Sequence, residues 1–139
     1  MIKKFILISF ILFAVTNAFA QMSNDDMDAW RNLFKQAQEE NKLVLVDFYT
    51  DWCKPCKEMD KKVFANIKVQ KKLSDKYIYF KCNAEQFEFI HVAQSYEIKE
   101  FPTVVVFDAI GQELKRIVGL VSAEEFIAEL EQIEKYIQP

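Results

Sequence analysis

The segment Leu43–Lys57 reads LVLVDFYTDWCKPCK. Its first seven residues are apolar, β-branched or aromatic except for Asp47, and such a continuous run predicts a buried central strand. Cys53 and Cys56 follow with two residues between them, at the start of a predicted helix whose first turn tolerates Pro55. Unpaired N–H groups and the helix dipole stabilise a thiolate there. The segment therefore predicts a strand-to-helix junction that carries a reactive pair of thiols.

Two chemistries use this cysteine spacing, a redox-active disulfide and a zinc site. Zinc normally needs four ligands. Beyond the pair, the chain offers only Cys82 and His91 as soft ligands, and neither lies in a zinc-knuckle pattern. This ligand count favours a redox-active Cys53–Cys56 disulfide, with no metal and no other cofactor. Cys82 falls in a predicted interior strand, where a free thiol behaves as a small apolar side chain, and His91 is expected at the surface.

The N-terminus has the three parts of an export signal. Lys3 and Lys4 form a positive region, residues 5–15 are apolar, and Ala18-Phe19-Ala20 supplies the small residues of a cleavage site. The apolar stretch is shorter than the roughly 20 residues that span a bilayer. We therefore expect a signal peptide, residues 1–20, that is cleaved after Ala20, with an uncleaved membrane anchor as the alternative. The location would be periplasmic or secreted, where disulfides persist.

Composition is consistent with one domain, residues 21–139. Half of the residues are hydrophobic and 13 are Phe, which is enough for a single packed core. The formal net charge of −3 comes from a mixed surface and gives no electrostatic reason to bind nucleic acid or anionic lipid. We expect a monomer.

Hydrophobic spacing predicts an alternation of helices and strands. The predicted helices are 25–40, 54–64, 69–75, 87–96 and one from Ser122, and the predicted strands are 42–49, 77–83, 103–108 and 112–118. In the last helix, Glu125 completes a capping box with Ser122, and five side chains face inward: Phe126, Ile127, Leu130, Ile133 and Ile137. This order predicts an α/β fold with a parallel strand pair joined by a helical crossover, beside an antiparallel hairpin.

Four features together resemble the thioredoxin superfamily. The strand runs into Trp52-Cys53-Lys54-Pro55-Cys56-Lys57, and Phe101-Pro102-Thr103 precedes the third strand, where that family has a cis-proline. Gly119 follows the last strand, and Lys81 lies on the middle one. The resemblance implies a thioredoxin fold, a central mixed sheet of four or five strands flanked by helices, and thiol–disulfide exchange. The helix at 25–40 begins so early that the family's first strand is expected to be missing.

The resemblance also implies unequal roles for the two cysteines. Cys53 would be the nucleophile, because exposure at the helix start and the neighbouring Lys54 and Lys57 favour its thiolate. Cys56 lies one turn into the helix, partly covered, and would release the product.

Asp47 and Lys81 are the other residues expected in the catalytic machinery. An isolated carboxylate in an apolar strand is costly, and the resemblance makes Asp47 a proton acceptor for Cys56, through water. A structural Asp47 bonded to backbone is the alternative. Lys81 would either pair with Asp47 and tune it, or lie at the surface.

Five residues are expected to contact the substrate: Trp52, Lys54, Pro55, Phe101 and Pro102. A cis Pro102 would leave backbone groups free to pair with an extended peptide, and the two aromatic rings would form apolar rims. Lys54 replaces the glycine of typical thioredoxins. A cation there stabilises the thiolate, and so makes the disulfide a stronger oxidant.

Three functions remain open from the sequence. The first is an exported thiol–disulfide oxidoreductase that reduces or reshuffles disulfides in exported proteins, with a membrane electron donor or acceptor as partner. The long stretch from Cys56 to Lys81 is similar to exported thioredoxin-like proteins and to the C-terminal domain of membrane-fed reductases. The second is a net disulfide donor, and the third is a non-catalytic thioredoxin-fold binding module.

Overall fold

The computed structural model describes residues 28–137, and the chain divides into two compact units, 1–32 and 33–139. Within the first unit, residues 28–32 are helical, and Arg31 pairs with Asp28 at 3.2 Å. The predicted signal peptide, its cleavage after Ala20 and the predicted helix start at Asp25 lie outside the described residues. No helix within residues 28–137 is long and apolar enough to cross a membrane.

The second unit alternates helices and strands in the predicted order. Its elements are α1 (residues 33–40), β1 (Leu43–Tyr49), α2 (Lys54–Met59), a π-helical segment (Asp60–Phe64), α3 (Ile67–Lys76), β2 (Tyr77–Asn83), α4 (Ile90–Ser95), β3 (Thr103–Phe107), β4 (Glu113–Val118) and α5 (Ala123–Ile137).

Two of the predicted helices differ from the structure. The helix predicted over 54–64 is α-helical only to Met59, after which the Ala65 N–H donates to the Asp60 carbonyl at 2.9 Å in a π-helical turn. Apolar spacing does not separate these two helical forms over five residues. The helix predicted over 87–96 begins only at Ile90, because the preceding residues form turns.

A four-stranded sheet in the order β2-β1-β3-β4 forms the centre of the described unit. β1 pairs with β2 in parallel and with β3 antiparallel, and β3 pairs antiparallel with β4. Because β1 has a strand on both sides and helices on both faces, residues 44–48 are all buried. This confirms the predicted mixed sheet and central strand.

Side chains alternate along β1 and so divide between two packed faces. Leu45 joins the main core cluster, in which α2, α3 and α5 contribute Met59, Leu73 and Phe126. Asp47 is two residues further along and therefore points to the same face. On the opposite face, the ring of Phe107 packs edge-on against Phe34 of α1, with centroids 5.8 Å apart.

The final helix has the predicted cap and inward side. The Glu125 N–H donates to the Ser122 hydroxyl at 3.2 Å, and the Ser122 N–H donates to the Glu125 carboxylate at 2.8 Å, which confirms the capping box. Phe126, Leu130 and Ile133 are buried and Ile127 is partly buried, whereas the side chain of Ile137 lies outside the described residues.

Candidate active site

Cys53 and Cys56 form a disulfide at the start of α2, with their Cα atoms 5.3 Å apart. Cys53 is the residue that caps the helix, and its sulfur accepts a hydrogen bond from the Cys56 N–H at 3.1 Å. Its own N–H donates to the Thr50 carbonyl at 3.2 Å, which fixes the turn from β1 into α2. A backbone donor aimed at Sγ of Cys53 would stabilise that sulfur as a thiolate once the disulfide opens.

The expected difference in exposure between the two cysteines is wrong for the disulfide form. Cys53 is 2% exposed and Cys56 is 3% exposed. The sequence places Cys53 at the helix start, where a side chain is usually open to solvent, but the disulfide turns each sulfur against the other. Attack on this form therefore needs a partner that reaches a recessed sulfur.

Asp47 is a buried carboxylate on the side of the sheet that α2 covers. It is 2% exposed, and burial raises its pKa from the ordinary 3.8 to about 6, assisted by the nearby charge of Asp60 and opposed by Lys81. The Tyr79 hydroxyl donates to Oδ2 of Asp47 at 3.4 Å. Within the described part of the chain, Oδ1 of Asp47 is buried without a hydrogen-bond partner. This carboxyl group can therefore gain or lose a proton close to neutral pH.

Lys81 is exposed, which is one of the two predicted alternatives, and its ion pair is with Asp60 rather than with Asp47. It is directly opposite Asp47 in the β1–β2 register, but its ammonium group forms an ion pair with Asp60 and lies 4.7 Å from the ring centre of Tyr49. Its long side chain reaches past Asp47 to the more exposed carboxylate, where its charge stays partly hydrated. Lys81 thus acts on Asp47 through its charge and not through a direct ion pair.

Sequence reasoning missed Asp60 and Tyr79. Tyr79 could have been found, because it lies two residues before Lys81 and so shares its face of β2. Asp60 could not, because its position depends on the π-helical segment that begins at this residue. Burial raises the pKa of Tyr79 above its ordinary value, and the charges of Asp47 and Asp60 add to this, so the hydroxyl remains a proton donor toward Asp47.

The predicted substrate-contacting residues lie at the end of the sheet that leads into the disulfide, because Thr103, next to Pro102, pairs with Phe48 of β1. The Phe101–Pro102 peptide bond is cis, as the resemblance implies. Trp52 is 65% exposed and packs edge-on against Phe101 with centroids 6.1 Å apart. Its indole N–H donates to Glu85 at 2.9 Å. Lys54 and Pro55 are exposed, whereas Pro102 is buried.

The last strand is tied to the proline loop by one backbone hydrogen bond. The Gly119 N–H donates to the Pro102 carbonyl at 2.8 Å, so this carbonyl is already engaged and is not among the backbone groups left open to a peptide. Gly119 has a φ of +85°, a region that side chains rarely enter, which explains a glycine here.

The third cysteine lies apart from this chemistry. Cys82 is a fully buried free thiol, as predicted, and burial raises its pKa to about 12. A thiol that holds its proton this strongly does not compete as a nucleophile. His91 is exposed. Within residues 28–137, no three His, Cys, Asp or Glu side chains cluster so that they could hold a metal ion.

Fold and disulfide together define a class, the thioredoxin-like thiol–disulfide oxidoreductases with an active-site disulfide. The family model described as a thioredoxin-like domain matches residues 30–134, and the chain belongs to this family. Among solved structures, a thioredoxin from Thermus thermophilus shares the fold, with a TM-score of 0.67 over 73% of this chain and 81% of that one, at 24% identity.

More specific similarity is to a bacterial redox protein. The chain is 36% identical over 106 residues to the thiol:disulfide interchange protein DsbD of Colwellia psychrerythraea, a match that covers 73% of this chain and 17% of that protein. It is also 26% identical to the C-terminal domain of Neisseria meningitidis DsbD in its oxidised form, with a TM-score of 0.63 over 76% of this chain and 93% of that domain. The chain thus corresponds to about a sixth of the curated relative's length.

The raised pKa of Asp47 predicts a specific dependence of stability on pH. The folded chain binds this proton more tightly than the unfolded chain. The free energy of unfolding therefore falls as the pH rises from about 4 to about 6, and it stays at the lower value at higher pH. This loss in the free energy of unfolding amounts to about 3 kcal/mol, because a pKa difference of one between the folded and unfolded chain is equivalent to about 1.4 kcal/mol. Asp47→Asn should remove this pH dependence and gain stability relative to the parent as the pH rises.

Denaturant unfolding of the oxidised proteins at about pH 3 and about pH 8 measures this change. Asp51→Asn is the matched control, because Asp51 is exposed in the turn that follows β1, and it should leave the parental profile unchanged. Parallel pH profiles for the parent and Asp47→Asn would contradict the assignment.

Asp60 is expected to set the proton affinity of Asp47 from a distance. Asp60→Asn removes a negative charge that raises the pKa of Asp47, and it releases Lys81 from its ion pair. Both effects favour the ionised carboxylate, so the pKa of Asp47 should fall. Carbon-13 NMR titration of the carboxyl groups measures it. Glu58→Gln, which removes the partner of Lys62 on the same helix, should leave it unchanged, and an equal or higher pKa in Asp60→Asn would refute the coupling.

Proposed function

We propose that this protein is an exported oxidoreductase that reduces or reshuffles disulfides in other exported proteins through the dithiol of Cys53 and Cys56. The observation that carries the proposal is a Cys53–Cys56 disulfide at a helix N-terminus, on the same face of the sheet as a buried carboxyl group with a pKa of about 6. Each part has a task in thiol–disulfide exchange. The similarity to the DsbD C-terminal domain adds support.

Exchange would proceed in two steps. In the reduced protein, the Cys53 thiolate attacks one sulfur of a substrate disulfide, a mixed disulfide forms, and the other substrate sulfur leaves as a thiolate. Cys56 then loses its proton and attacks Sγ of Cys53, which releases the second substrate thiolate. The substrate gains two electrons and the Cys53–Cys56 disulfide is restored.

Asp47 is the proposed proton acceptor for Cys56. Among the described residues its Oδ1 has no hydrogen-bond partner, while the Tyr79 hydroxyl donates to Oδ2, so one oxygen remains available to accept a proton. A pKa of about 6 matches this task, because the group is mostly ionised at neutral pH and yet binds a proton readily. The transfer through water stays part of the proposal.

Net donation of the disulfide is the second candidate function, and Lys54 favours it. This exposed cation lies next to Cys53, where it stabilises a thiolate and therefore the reduced form. A reduction potential well above the roughly −270 mV of thioredoxin would indicate an oxidant. The potential of the redox partner, for which a membrane electron donor or acceptor is proposed, also sets the direction.

The proposed activity predicts that the mature domain, residues 21–139, reduces insulin disulfides in the presence of dithiothreitol. Cys53→Ser should abolish this reduction, because it removes the thiol at the helix N-terminus that attacks the substrate and leaves Cys56 without a sulfur to attack. Cys82→Ala is the matched control, since it removes the buried thiol, and it should retain activity. Cys56→Ser should accumulate a mixed disulfide on Cys53.

Insulin turbidity measures the first two results, and mass spectrometry of the non-reduced protein measures the third. Full activity of Cys53→Ser would refute the mechanism. A Cys53 thiol that stays unreactive at neutral pH would instead favour the non-catalytic binding module.

Export is proposed from the sequence of residues 1–20. When the full chain is expressed in a Gram-negative bacterium, the periplasmic protein should begin at Gln21. Ala20→Arg places a large cation at the cleavage site and should leave the signal attached. N-terminal sequencing of the periplasmic fraction measures both results, and a full-length chain confined to the cytosol would refute the proposal.

A further inference from the structure

Positive charge is concentrated on the helices that follow the disulfide. Residues 54–76 contain eight of the chain's 18 Lys and Arg but only three of its 21 Asp and Glu. The whole chain has a formal net charge of −3, so this segment has the opposite sign from the protein that carries it. The electrostatic field near this segment therefore differs from the one that the net charge of the whole chain suggests.

Three of these lysines form a row beginning at the disulfide. Lys54, Lys57 and Lys61 are exposed and follow one another at spacings of three and four residues, which places them on one side of α2 and of the π-helical segment that continues it. The row extends roughly 10 Å from the residue next to Cys53. Cys56, Met59 and Val63 occupy the buried side.

The ammonium groups of this row have no partner among the described residues. Within the described residues, Lys54, Lys57 and Lys61 have no ion pair and no side-chain hydrogen bond, whereas the adjacent Lys62 pairs with Glu58 at 2.9 Å. Unpaired cations beside a recessed sulfur can attract a partner before exchange begins, and such attraction mainly affects the association rate and the orientation of the partner.

We propose that Lys54, Lys57 and Lys61 form a docking row for a partner protein whose reactive cysteines are flanked by acidic side chains. The proposal rests on the proposed function, since the row begins at the disulfide and its occupant must supply a sulfur for exchange. Anionic lipid headgroups also bind positive charges, but they supply no sulfur for exchange. The exposed ring of Trp52, in contact with Phe101, supplies apolar surface on the other side of Cys53.

The test uses three synthetic peptides that each contain one intramolecular disulfide, flanked by glutamates, glutamines or lysines. The reduced full domain is mixed with each peptide, and its rate of oxidation is followed by tryptophan fluorescence or quenched-flow mass spectrometry. At low ionic strength the glutamate peptide should react about tenfold faster than the glutamine peptide, and the ratio should approach one in about 0.5 M salt. Net charge alone predicts the reverse order.

The ratio of glutamate-peptide rate to glutamine-peptide rate is the readout, because it cancels any change in the Cys53 thiolate. Combined Lys57→Glu and Lys61→Glu should lower this ratio below one, and combined Lys57→Arg and Lys61→Arg should restore it. Lys35→Glu, a charge reversal at a side chain 73% exposed on α1, should leave it unchanged.

Two failures are distinguishable. If the parent does not react with the glutamine peptide, the proposed exchange function is refuted. If it reacts but shows a ratio of one or less, or if Lys35→Glu lowers the ratio as much as the double reversal, the docking row is refuted. Sedimentation with anionic phospholipid vesicles together with a peptide ratio of one would assign the lysines to a membrane surface instead, which also overturns the proposal.

Discussion

The pairing of β1 with β2 on one side and β3 on the other is the constraint on which the rest of the structure depends. It buries residues 44–48 completely and fixes where the strand ends. The chain then turns at Thr50, whose carbonyl accepts from the Cys53 N–H, and enters α2 with Cys53 as its cap. The position of the disulfide is therefore fixed by the end of an interior strand of the sheet. The same pairing places Lys81 and Val104 on either side of Asp47.

Asp47 lowers the stability of the fold but provides a carboxyl group that titrates close to neutral pH. A carboxylate in the middle of a core-facing strand loses its hydration, and the charge of Lys81 and a 3.4 Å hydrogen bond from Tyr79 offset part of that loss. The pairing of Lys81 with Asp60 keeps the nearest cation from neutralising Asp47 fully. A direct Lys81–Asp47 ion pair would lower the pKa and weaken the group as a proton acceptor near neutral pH. The pKa of Asp47 therefore depends on the position of Asp60 as well as on the burial of Asp47 itself.

Sequence reasoning succeeded where local pattern and local chemistry agree. The run of residues 43–49, the capping box of Ser122 and Glu125 and the spacing of Phe126, Leu130 and Ile133 all predicted the observed elements, because each depends on neighbours within a few residues. It failed on the helix after Met59 and did not identify Asp60 as the partner of Lys81, although the surface position that it left open for Lys81 is the one observed. The Lys81–Asp60 ion pair depends on how the π-helical segment packs against β2, where the rings of Phe64 and Tyr79 also meet, and no short-range pattern encodes that packing.

By itself, the sequence determined the class of fold, the order of its elements and the cysteine pair at a strand–helix junction, because periodicity, capping and cysteine spacing are local properties. Only the tertiary structure decided that both cysteines are recessed in the disulfide form, that one oxygen of Asp47 has no partner within residues 28–137, and that Asp60 pairs with Lys81. Those features arise where segments distant along the chain meet in a region of low hydration. Burial and charge at such a meeting point depend on all the elements that surround it.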